Sequence, residues 1–251
     1  MIRALVFDFD GLIVDTETRV FEAWRSTYAD HGQVLPRDRW LATIGTDGAS
    51  FDPLEHLRVL VRAKLDVEEI DRRRRNFHYE PLEQMPGVLA SLEHARTRQI
   101  RLAIASSSSM EWVGAHIERL GLSHFFDEIV TIDQVRAAKP APDLYLRAVE
   151  RLGVNPAEAI AVEDSPNGVA AAKAAGLYCV AVPGPMTRTL SFDAADIVLP
   201  SLDARPAAEW IAEAAATQAA RQQSLNSSST NAKCEPAATQ STVRTPSART
   251  R

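Results

Sequence analysis

The chain has 251 residues, of which 45% are hydrophobic and 24% are charged, and this composition excludes a disordered protein, a collagen and a short disulfide scaffold. Its formal net charge of −5 argues against a nucleic-acid partner, because such proteins usually carry an excess of basic residues. The two cysteines, Cys179 and Cys234, are too few for a disulfide framework, so we expect reduced thiols and a cytoplasmic protein. We find no signal peptide and no apolar run long enough to span a membrane, so we expect no membrane partner.

Short apolar runs alternate with helical patterns along most of the chain. Several runs are apolar without alternation, as expected when both faces of a strand are covered. Glycines that follow three helical patterns suit the left-handed position just past a helix. Repeated strand–helix–strand units predict an α/β fold with an open, mostly parallel sheet. The predicted strands are residues 3–7, 100–105, 128–131, 159–162, 178–182 and 197–199, and the glycines are Gly121, Gly153 and Gly176.

One stretch, residues 16–80, shows helical periodicity only and directly follows the first predicted strand. We predict an all-helical insert here, which we call the helical insert, between connectors at residues 12–15 and 81–87. It projects from the carboxyl end of a strand, where open α/β sheets bind ligands, and this position indicates a lid. Residues 1–15 and 81–216 form the predicted core domain.

From about Thr217 onward the chain contains mainly Ala, Gln, Ser, Thr and Asn, with almost no large apolar side chains. Such a segment cannot bury enough surface to offset its conformational entropy, so residues 217–251 are predicted to be a disordered tail. It contains five basic residues and one acidic residue, Glu235. We interpret it as a solvated tail rather than a binding arm.

The strongest chemical motif is Asp8-Phe9-Asp10-Gly11, directly after the first predicted strand. Its two carboxylates point the same way, because side chains alternate along a strand. Their mutual repulsion favours a cation between them, and Mg²⁺ binds carboxylates together with phosphate. A helix N-cap or a solvated turn would also accommodate such an acidic pair.

Three further motifs also lie at predicted strand ends, and each is ambiguous alone. The serine run at residues 106–109 offers hydroxyl and backbone N–H groups to a phosphate, or is only a loop. Prolines on either side of Ala141 stiffen the backbone after Lys139, although most single lysines are solvated. Glu163 and Asp164 would serve a helix dipole or complete a metal site. One crevice would collect these groups, because the carboxyl ends of parallel strands share one edge of the sheet.

With these motifs in this order, the chain resembles the haloacid dehalogenase superfamily and, within it, the β-phosphoglucomutase-like phosphatases of subfamily IA. The resemblance covers about residues 2–200. It implies a Rossmann-like core, a helical cap at residues 16–80 and Mg²⁺-dependent phosphoryl transfer through an aspartyl-phosphate. The matching residues are Asp8-Phe9-Asp10-Gly11, Asp15-Thr16-Glu17, Ser106, Lys139-Pro140-Ala141-Pro142-Asp143, Glu163-Asp164-Ser165 and Gly168.

The resemblance also implies catalytic roles. Asp8 would be the nucleophile and Asp10 the general acid and base. Ser106 and Lys139 would bind the transferring oxygens and stabilise their negative charge.

Metal and substrate residues follow from the same resemblance. Mg²⁺ would be bound by the Asp8 side chain, the Asp10 main-chain oxygen and Asp164. Glu163 would complete the metal site, either beside these ligands or directly behind them. The candidates for substrate binding are Thr16, Gly45, Arg75, Ser107 and Ser108, with Trp24 as a further candidate in the helical insert. Arg75 is one of four consecutive arginines, residues 72–75, which cover every face of a helix, so the alternative is that all four are solvated.

The helical insert departs from the sugar phosphomutases, which would have a histidine at Val20 and an arginine in the loop Gly45-Thr46-Asp47-Gly48. We therefore favour a phosphatase of a small phosphomonoester, such as a sugar phosphate, over a mutase. A dehalogenase is disfavoured because Asp10 would have no role in it. A phosphorylation-sensing receiver domain would carry its acceptor aspartate on a later strand, and a non-enzymatic relative would be expected to lose Asp8 or Asp10. We expect a monomer.

Overall fold

The computed structural model describes residues 1–61, 65–79 and 82–231, without the side chains of residues 74–79 and 225–231. Six strands form one sheet: β1 (Ala4–Phe7), β2 (Arg101–Ser106), β3 (Glu128–Thr131), β4 (Ala159–Glu163), β5 (Tyr178–Ala181) and β6 (Ile197–Val198). Their order is β3-β2-β1-β4-β5-β6, and every neighbouring pair is parallel. The predicted Rossmann-like α/β fold is confirmed, and each predicted strand lies within one residue of its expected bounds.

Helices flank this sheet on both faces. The described part of the chain contains α1 (Thr16–Asp30), α2 (Arg37–Leu41), α3 (Pro53–Val61), α4 (Val67–Tyr79), α5 (Val88–Thr97), α6 (Met110–Arg119), α7 (Asp143–Leu152), α8 (Pro166–Ala174) and α9 (Ala207–Asn231). Short 3-10 turns occupy Ser123–Phe125, Ile132–Gln134 and Pro156–Glu158. Gly121, Gly153 and Gly176 have φ angles of 68°, 61° and 84°, as predicted for residues that end helices.

The two faces of the sheet carry side chains of different size. One face presents large residues, such as Phe7 and Ile104, which pack with α5, α6 and α9. The other face presents small residues, such as Ala103 and Ala161, which leave room for α7 and α8. Both sets come from the same strands because alternate residues point to opposite faces. The sheet is therefore buried on both sides, and its carboxyl edge is left to form a site.

The described residues of the helical insert form α1 to α4. Their side chains pack in a cluster of their own that includes Trp24, Tyr28 and Leu57. Met186, which follows β5, completes this cluster from the sheet side. The two connectors of the insert lie side by side, since the N–H of Met85 donates to the carbonyl of Ile13 at 2.8 Å.

The last helix corrects the expectation for the C-terminal segment. A disordered tail was predicted from residue 217, but α9 continues to Asn231. Gln218 is only 9% exposed, and Arg221 forms an ion pair with Asp196 at 2.6 Å. Alanine and glutamine are good helix formers, so a segment poor in apolar residues still extends a helix whose first turns are anchored by Trp210 in the core. Residues 232–251 lie outside the described chain.

Two smaller expectations concern membranes and thiols. No helix in the described ranges is long and apolar enough to cross a membrane. Cys179 is a free, fully buried thiol on β5, and Cys234 lies outside the described residues. The cytoplasmic location and the monomer stay predictions.

Candidate active site

The predicted motifs converge at the carboxyl edge of the sheet. Asp8 and Asp10 follow β1, Ser106 ends β2, and Asp164 follows β4. Because β1 lies between β2 and β4, these three strand ends are neighbours. Lys139 reaches the same point from the segment before α7, and its side chain is fully buried.

The Lys139 ammonium joins two buried carboxylates. Its Nζ lies 2.6 Å from Asp8 Oδ1 and 2.6 Å from Glu163 Oε1. Burial lowers the pKa of Lys139, but the charges of Asp8 and Glu163 outweigh burial and raise that pKa above its ordinary value. Tyr145 donates its hydroxyl to Glu163 Oε1, and Ser165 donates to Oε2 at 3.4 Å. Lys139 is therefore a charged, fixed group rather than a solvated one.

Asp8, Glu163 and Asp164 offer carboxylate oxygens that lie within 4.8 Å of one another. Burial raises the pKa of Asp8 to about 7, even though Lys139 lowers it. Burial and the charge of Asp8 raise the pKa of Asp164 well above its ordinary value. Asp164 Oδ1 is buried and has no hydrogen-bond partner among the described residues. A hard divalent cation would satisfy this oxygen and offset the repulsion, so the residues present fit Mg²⁺.

Gly11 allows the β1 and β4 ends to approach closely. Its φ is +81°, and a Cβ at this position would lie 2.1 Å from Asp164 Oδ2. The Asp164 backbone is fixed by Thr187, whose hydroxyl donates to the Asp164 carbonyl at 2.6 Å. A side chain at position 11 would therefore displace the Asp164 carboxylate.

Asp10 accepts hydrogen bonds from four side chains in the described part of the chain. Its Oδ1 accepts from the Thr16 hydroxyl at 2.7 Å and from Trp112 Nε1 at 2.9 Å. Its Oδ2 accepts from Ser108 at 2.6 Å and from Ser106 at 3.4 Å. Thr16 begins the helical insert, whereas the other donors belong to β2, α6 and the segment between them. The insert and the sheet therefore meet at this carboxylate.

A cavity of about 370 Å³ opens beside Asp10. Most of its lining consists of carboxyl, hydroxyl and indole groups, and the lining residues are Asp10, Thr16, Glu17, Val20, Trp40, Thr43, Thr46, Asp47, Gly48, Ser108 and Trp112. Burial and the neighbouring charges of Asp10 and Asp8 raise the pKa of Glu17 to about 8. A cavity of this size, with polar groups set among aromatic walls, suits a small hydroxylated molecule.

The segment between α2 and α3 contacts the residues that follow β2 and β4. Asn167 donates to the Ile44 carbonyl at 2.9 Å, and Ser107 donates to the Gly45 carbonyl at 2.9 Å. A Cβ on Gly45 would lie 2.2 Å from Ser165 Oγ. The helical insert thus covers the edge at which the motifs meet.

The residues predicted for substrate binding differ in their surroundings. Thr16 and Ser108 line the cavity, and Ser107 and Gly45 are hydrogen-bonded to each other. Trp24 instead is 3% exposed and packs in the hydrophobic cluster of the insert, because its helical spacing places it on the apolar face of α1. The side chain of Arg75 lies outside the described residues.

Two site residues were missed in the sequence. Trp112 lies in the first turn of α6, three residues after Ser109, and Tyr145 lies in the first turn of α7, two residues after Asp143. The first turn of a helix that follows a motif is held close to that motif, and this spacing was the available signal. The contacts themselves depend on side-chain directions that the sequence does not specify.

Comparison with known proteins shows the family of the chain. The model of the haloacid dehalogenase-like hydrolase family matches residues 2–176. "Putative phosphatase YhcW" of Bacillus subtilis is 45% identical over 205 residues, which cover 80% of this chain and 93% of that protein. "Phosphorylated carbohydrates phosphatase" of Thermotoga maritima is 33% identical over 177 residues, which cover 70% of this chain and 82% of that protein.

A solved structure shows the same fold. The beta-phosphoglucomutase of Clostridium difficile superposes with a TM-score of 0.66 at 23% identity, over 85% of this chain and 97% of that one. The family match extends from the Asp8 motif through the Asp164 motif, and the predicted family and the predicted enzyme are confirmed. The chain belongs to the haloacid dehalogenase-like hydrolases.

Proposed function

We propose that the chain is a Mg²⁺-dependent phosphatase that hydrolyses a small phosphomonoester, such as a sugar phosphate, through an aspartyl-phosphate. The environment of Asp8 carries this proposal. One Asp8 oxygen contacts the Lys139 ammonium at 2.6 Å, and the adjacent Asp164 has a buried oxygen without a partner in the described chain. A carboxylate normally repels a phosphate dianion. An ammonium on one side and a metal-binding site on the other offset this repulsion, so the carboxylate can approach the phosphorus.

Each carboxylate then has a distinct role. Asp8 attacks phosphorus and forms an acyl-phosphate, which divides a difficult hydrolysis into two easier steps. Asp10 gives a proton to the leaving oxygen and, now ionised, takes a proton from the water that attacks the acyl-phosphate. Lys139 stabilises the charge on the transferring oxygens, as would Ser106.

The metal would be held by the Asp8 side chain, Asp164 and the Asp10 main-chain oxygen. When bound, Mg²⁺ supplies neutralisation of the phosphate charge. Glu163 lies alongside, and its oxygens already accept from Tyr145 and Ser165. We infer that Glu163 orients Lys139 rather than binding the metal directly.

The cavity supports a small hydroxylated substrate. Thr43, Thr46 and Asp47 offer hydrogen bonds to hydroxyl groups, and the indoles of Trp40 and Trp112 offer apolar surface. The relative from Thermotoga is named for phosphorylated carbohydrates, in line with this choice. We propose that residues 16–80 act as a cap over a core of residues 1–15 and 81–216, and that closure excludes water from the site.

A sugar phosphomutase is a second candidate, because the fold is shared with a beta-phosphoglucomutase. A mutase must hold a second phosphate while it returns the first. Among the described residues, the cavity lining contains no lysine, arginine or histidine. Val20 lines the cavity where resemblance to the mutases leads us to expect a histidine. These observations favour the phosphatase.

The substitution Asp8→Asn tests the proposal, because asparagine keeps the size of the side chain and cannot form the acyl-phosphate. We expect phosphate release from a panel of sugar monophosphates with Mg²⁺ to fall by at least about 10³-fold. Addition of EDTA to the unaltered protein should have a comparable effect. Asp193→Asn, which changes an exposed carboxylate outside the site, is the control. Undiminished turnover by the Asp8 variant would refute the proposal.

A further inference from the structure

We infer that Trp112 is a positioning residue for Asp10: it fixes one carboxyl oxygen as a hydrogen-bond acceptor, so that the other oxygen carries the proton given to the leaving group. The inference rests on the proposed function, because it assigns a role within that phosphoryl transfer. It concerns a residue that belongs to none of the four motifs.

The two oxygens of Asp10 have different partners. Oδ1 accepts from Trp112 Nε1 at 2.9 Å and from the Thr16 hydroxyl at 2.7 Å. Within the described residues, the side-chain partners of Oδ2 are serine hydroxyls, Ser108 at 2.6 Å and Ser106 at 3.4 Å. The three hydroxyls can donate or accept, whereas the indole N–H can only donate.

Protonation of Asp10 affects these partners unequally. A hydroxyl can rotate and accept a hydrogen bond, whereas an indole N–H can only donate. A proton on Oδ1 would point to the Thr16 hydroxyl and leave the Trp112 N–H on a protonated oxygen, which is a weaker acceptor than the carbonyl oxygen of the acid. A proton on Oδ2 requires only that Ser108 or Ser106 rotate, and it keeps Oδ1 as the stronger acceptor. Trp112 therefore directs the proton to Oδ2, beside Ser108, which lines the cavity.

The indole itself is held on several sides. The backbone N–H of Trp112 donates to Ser109 Oγ at 3.3 Å, at the start of α6. The ring packs on His116 with centroids 4.1 Å apart. His116 in turn contacts Phe9, with centroids 6.2 Å apart, and Phe9 lies between Asp8 and Asp10 in the chain. A donor held in this way loses little entropy when it orients a catalytic group.

The proposed reaction has two steps. An Asp8 oxygen forms a bond to phosphorus, and the bond from phosphorus to the leaving oxygen breaks with its electron pair on that oxygen. The proton on Asp10 Oδ2 moves to the same oxygen, which leaves Asp10 ionised with its Trp112 hydrogen bond intact. Water then attacks phosphorus and gives one proton to Oδ2. The bond between Asp8 and phosphorus breaks, which releases inorganic phosphate and the Asp8 carboxylate.

The test is the substitution Trp112→Phe, which keeps an aromatic ring and removes the N–H. We would measure kcat/KM with Mg²⁺ for phenyl phosphate and for 4-nitrophenyl phosphate, two flat substrates of similar size. Phenoxide needs a proton to leave, whereas 4-nitrophenoxide leaves more readily as the anion. We expect the ratio of the two kcat/KM values, phenyl over 4-nitrophenyl, to fall about tenfold. An unchanged ratio, with both values lowered equally, would overturn the inference and show that Trp112 only packs.

Trp40→Phe is the matched control. Trp40 lines the same cavity, but its buried Nε1 has no hydrogen-bond partner within the described residues. This variant should leave the ratio unchanged even if both values shift. Asp10→Asn should lower the ratio further and gives the full size of the effect. If Trp112→Phe does not fold, benzothienylalanine at position 112 keeps the bicyclic shape, removes only the N–H and should lower the ratio likewise.

The two proposals fail in different ways. Full activity of Asp8→Asn would defeat the proposed phosphatase mechanism whatever Trp112 does. Loss of activity in Asp8→Asn together with an unchanged ratio in Trp112→Phe would leave the mechanism standing and defeat only the role of Trp112.

Discussion

Gly45 and Gly48 share a backbone conformation but have different surroundings. Their φ angles are +81° and +75°, and alanine at either position costs about 1–2 kcal/mol in this left-handed region. A Cβ on Gly45 would lie 2.2 Å from Ser165 Oγ, whereas a Cβ on Gly48 would have no non-adjacent atom of the described residues within 4 Å. We therefore expect Gly45→Ala to lift the loop from the sheet, which would lower kcat/KM for a sugar monophosphate by about tenfold relative to Gly48→Ala.

Steady-state kinetics and urea unfolding of the two variants measure these effects. The free energy of unfolding should fall in both and fall further in Gly45→Ala. Equal losses of activity would show that the contact with Ser165 does not matter for catalysis.

For single residues, the positions of the site residues could be predicted from the sequence, whereas most of their side-chain contacts could not. Asp8, Asp10 and Asp164 were found because strand periodicity and strand ends place them on one edge. The meeting of Asp8 with Lys139 at 2.6 Å joins residues far apart in the chain, and only the order of the sheet brings them together. The indole of Trp112 was missed because its direction is set by packing on His116.

Among the elements, strands were predicted more reliably than the last helix. The strands have apolar runs, and glycines with positive φ mark the ends of several helices, so these signals are local. The second half of α9 has no such signal. It is held by tertiary contacts, in which Arg221 pairs with Asp196 and lies over the Tyr178 ring at 5.9 Å.

Truncation tests the contribution of this half of α9. A chain that ends at residue 216 loses the buried Gln218 and the ion pair of Arg221, whereas a chain that ends at residue 231 keeps both. We expect the shorter chain to lose about 1–3 kcal/mol of unfolding free energy, and the longer one to match the full chain. Urea unfolding measures both, with Arg221→Ala in the full chain to separate the ion pair from the rest. Equal stability of the two truncated chains would show that α9 beyond residue 216 does not contribute.

For the whole molecule, we expect Mg²⁺ to raise the melting temperature more at pH 8 than at pH 5. Burial raises the pKa of folded Asp8 to about 7, from about 3.9 in an unfolded chain. Between these values the folded state binds the extra proton, so this group's contribution to stability falls as pH rises toward 7. Above that pH the buried charge attracts the cation, whereas at pH 5 the ion must displace a proton.

Differential scanning fluorimetry with and without Mg²⁺ at the two pH values measures this difference. Asp164→Asn, which removes a carboxylate of the cluster, should abolish the larger shift at pH 8. Equal shifts at both pH values in the unaltered protein would contradict the proposed role of Asp8 in binding the ion.

The position of Met186 limits how this architecture can be recombined. Met186 fills a place in the hydrophobic cluster of the insert, and the next residue, Thr187, anchors the Asp164 backbone. If the helical insert were transferred to the core of another protein, its hydrophobic cluster would therefore lack the residue that Met186 supplies here. Exchange of specificity between relatives by swapping residues 16–80 should succeed only when the segment after β5 is transferred as well.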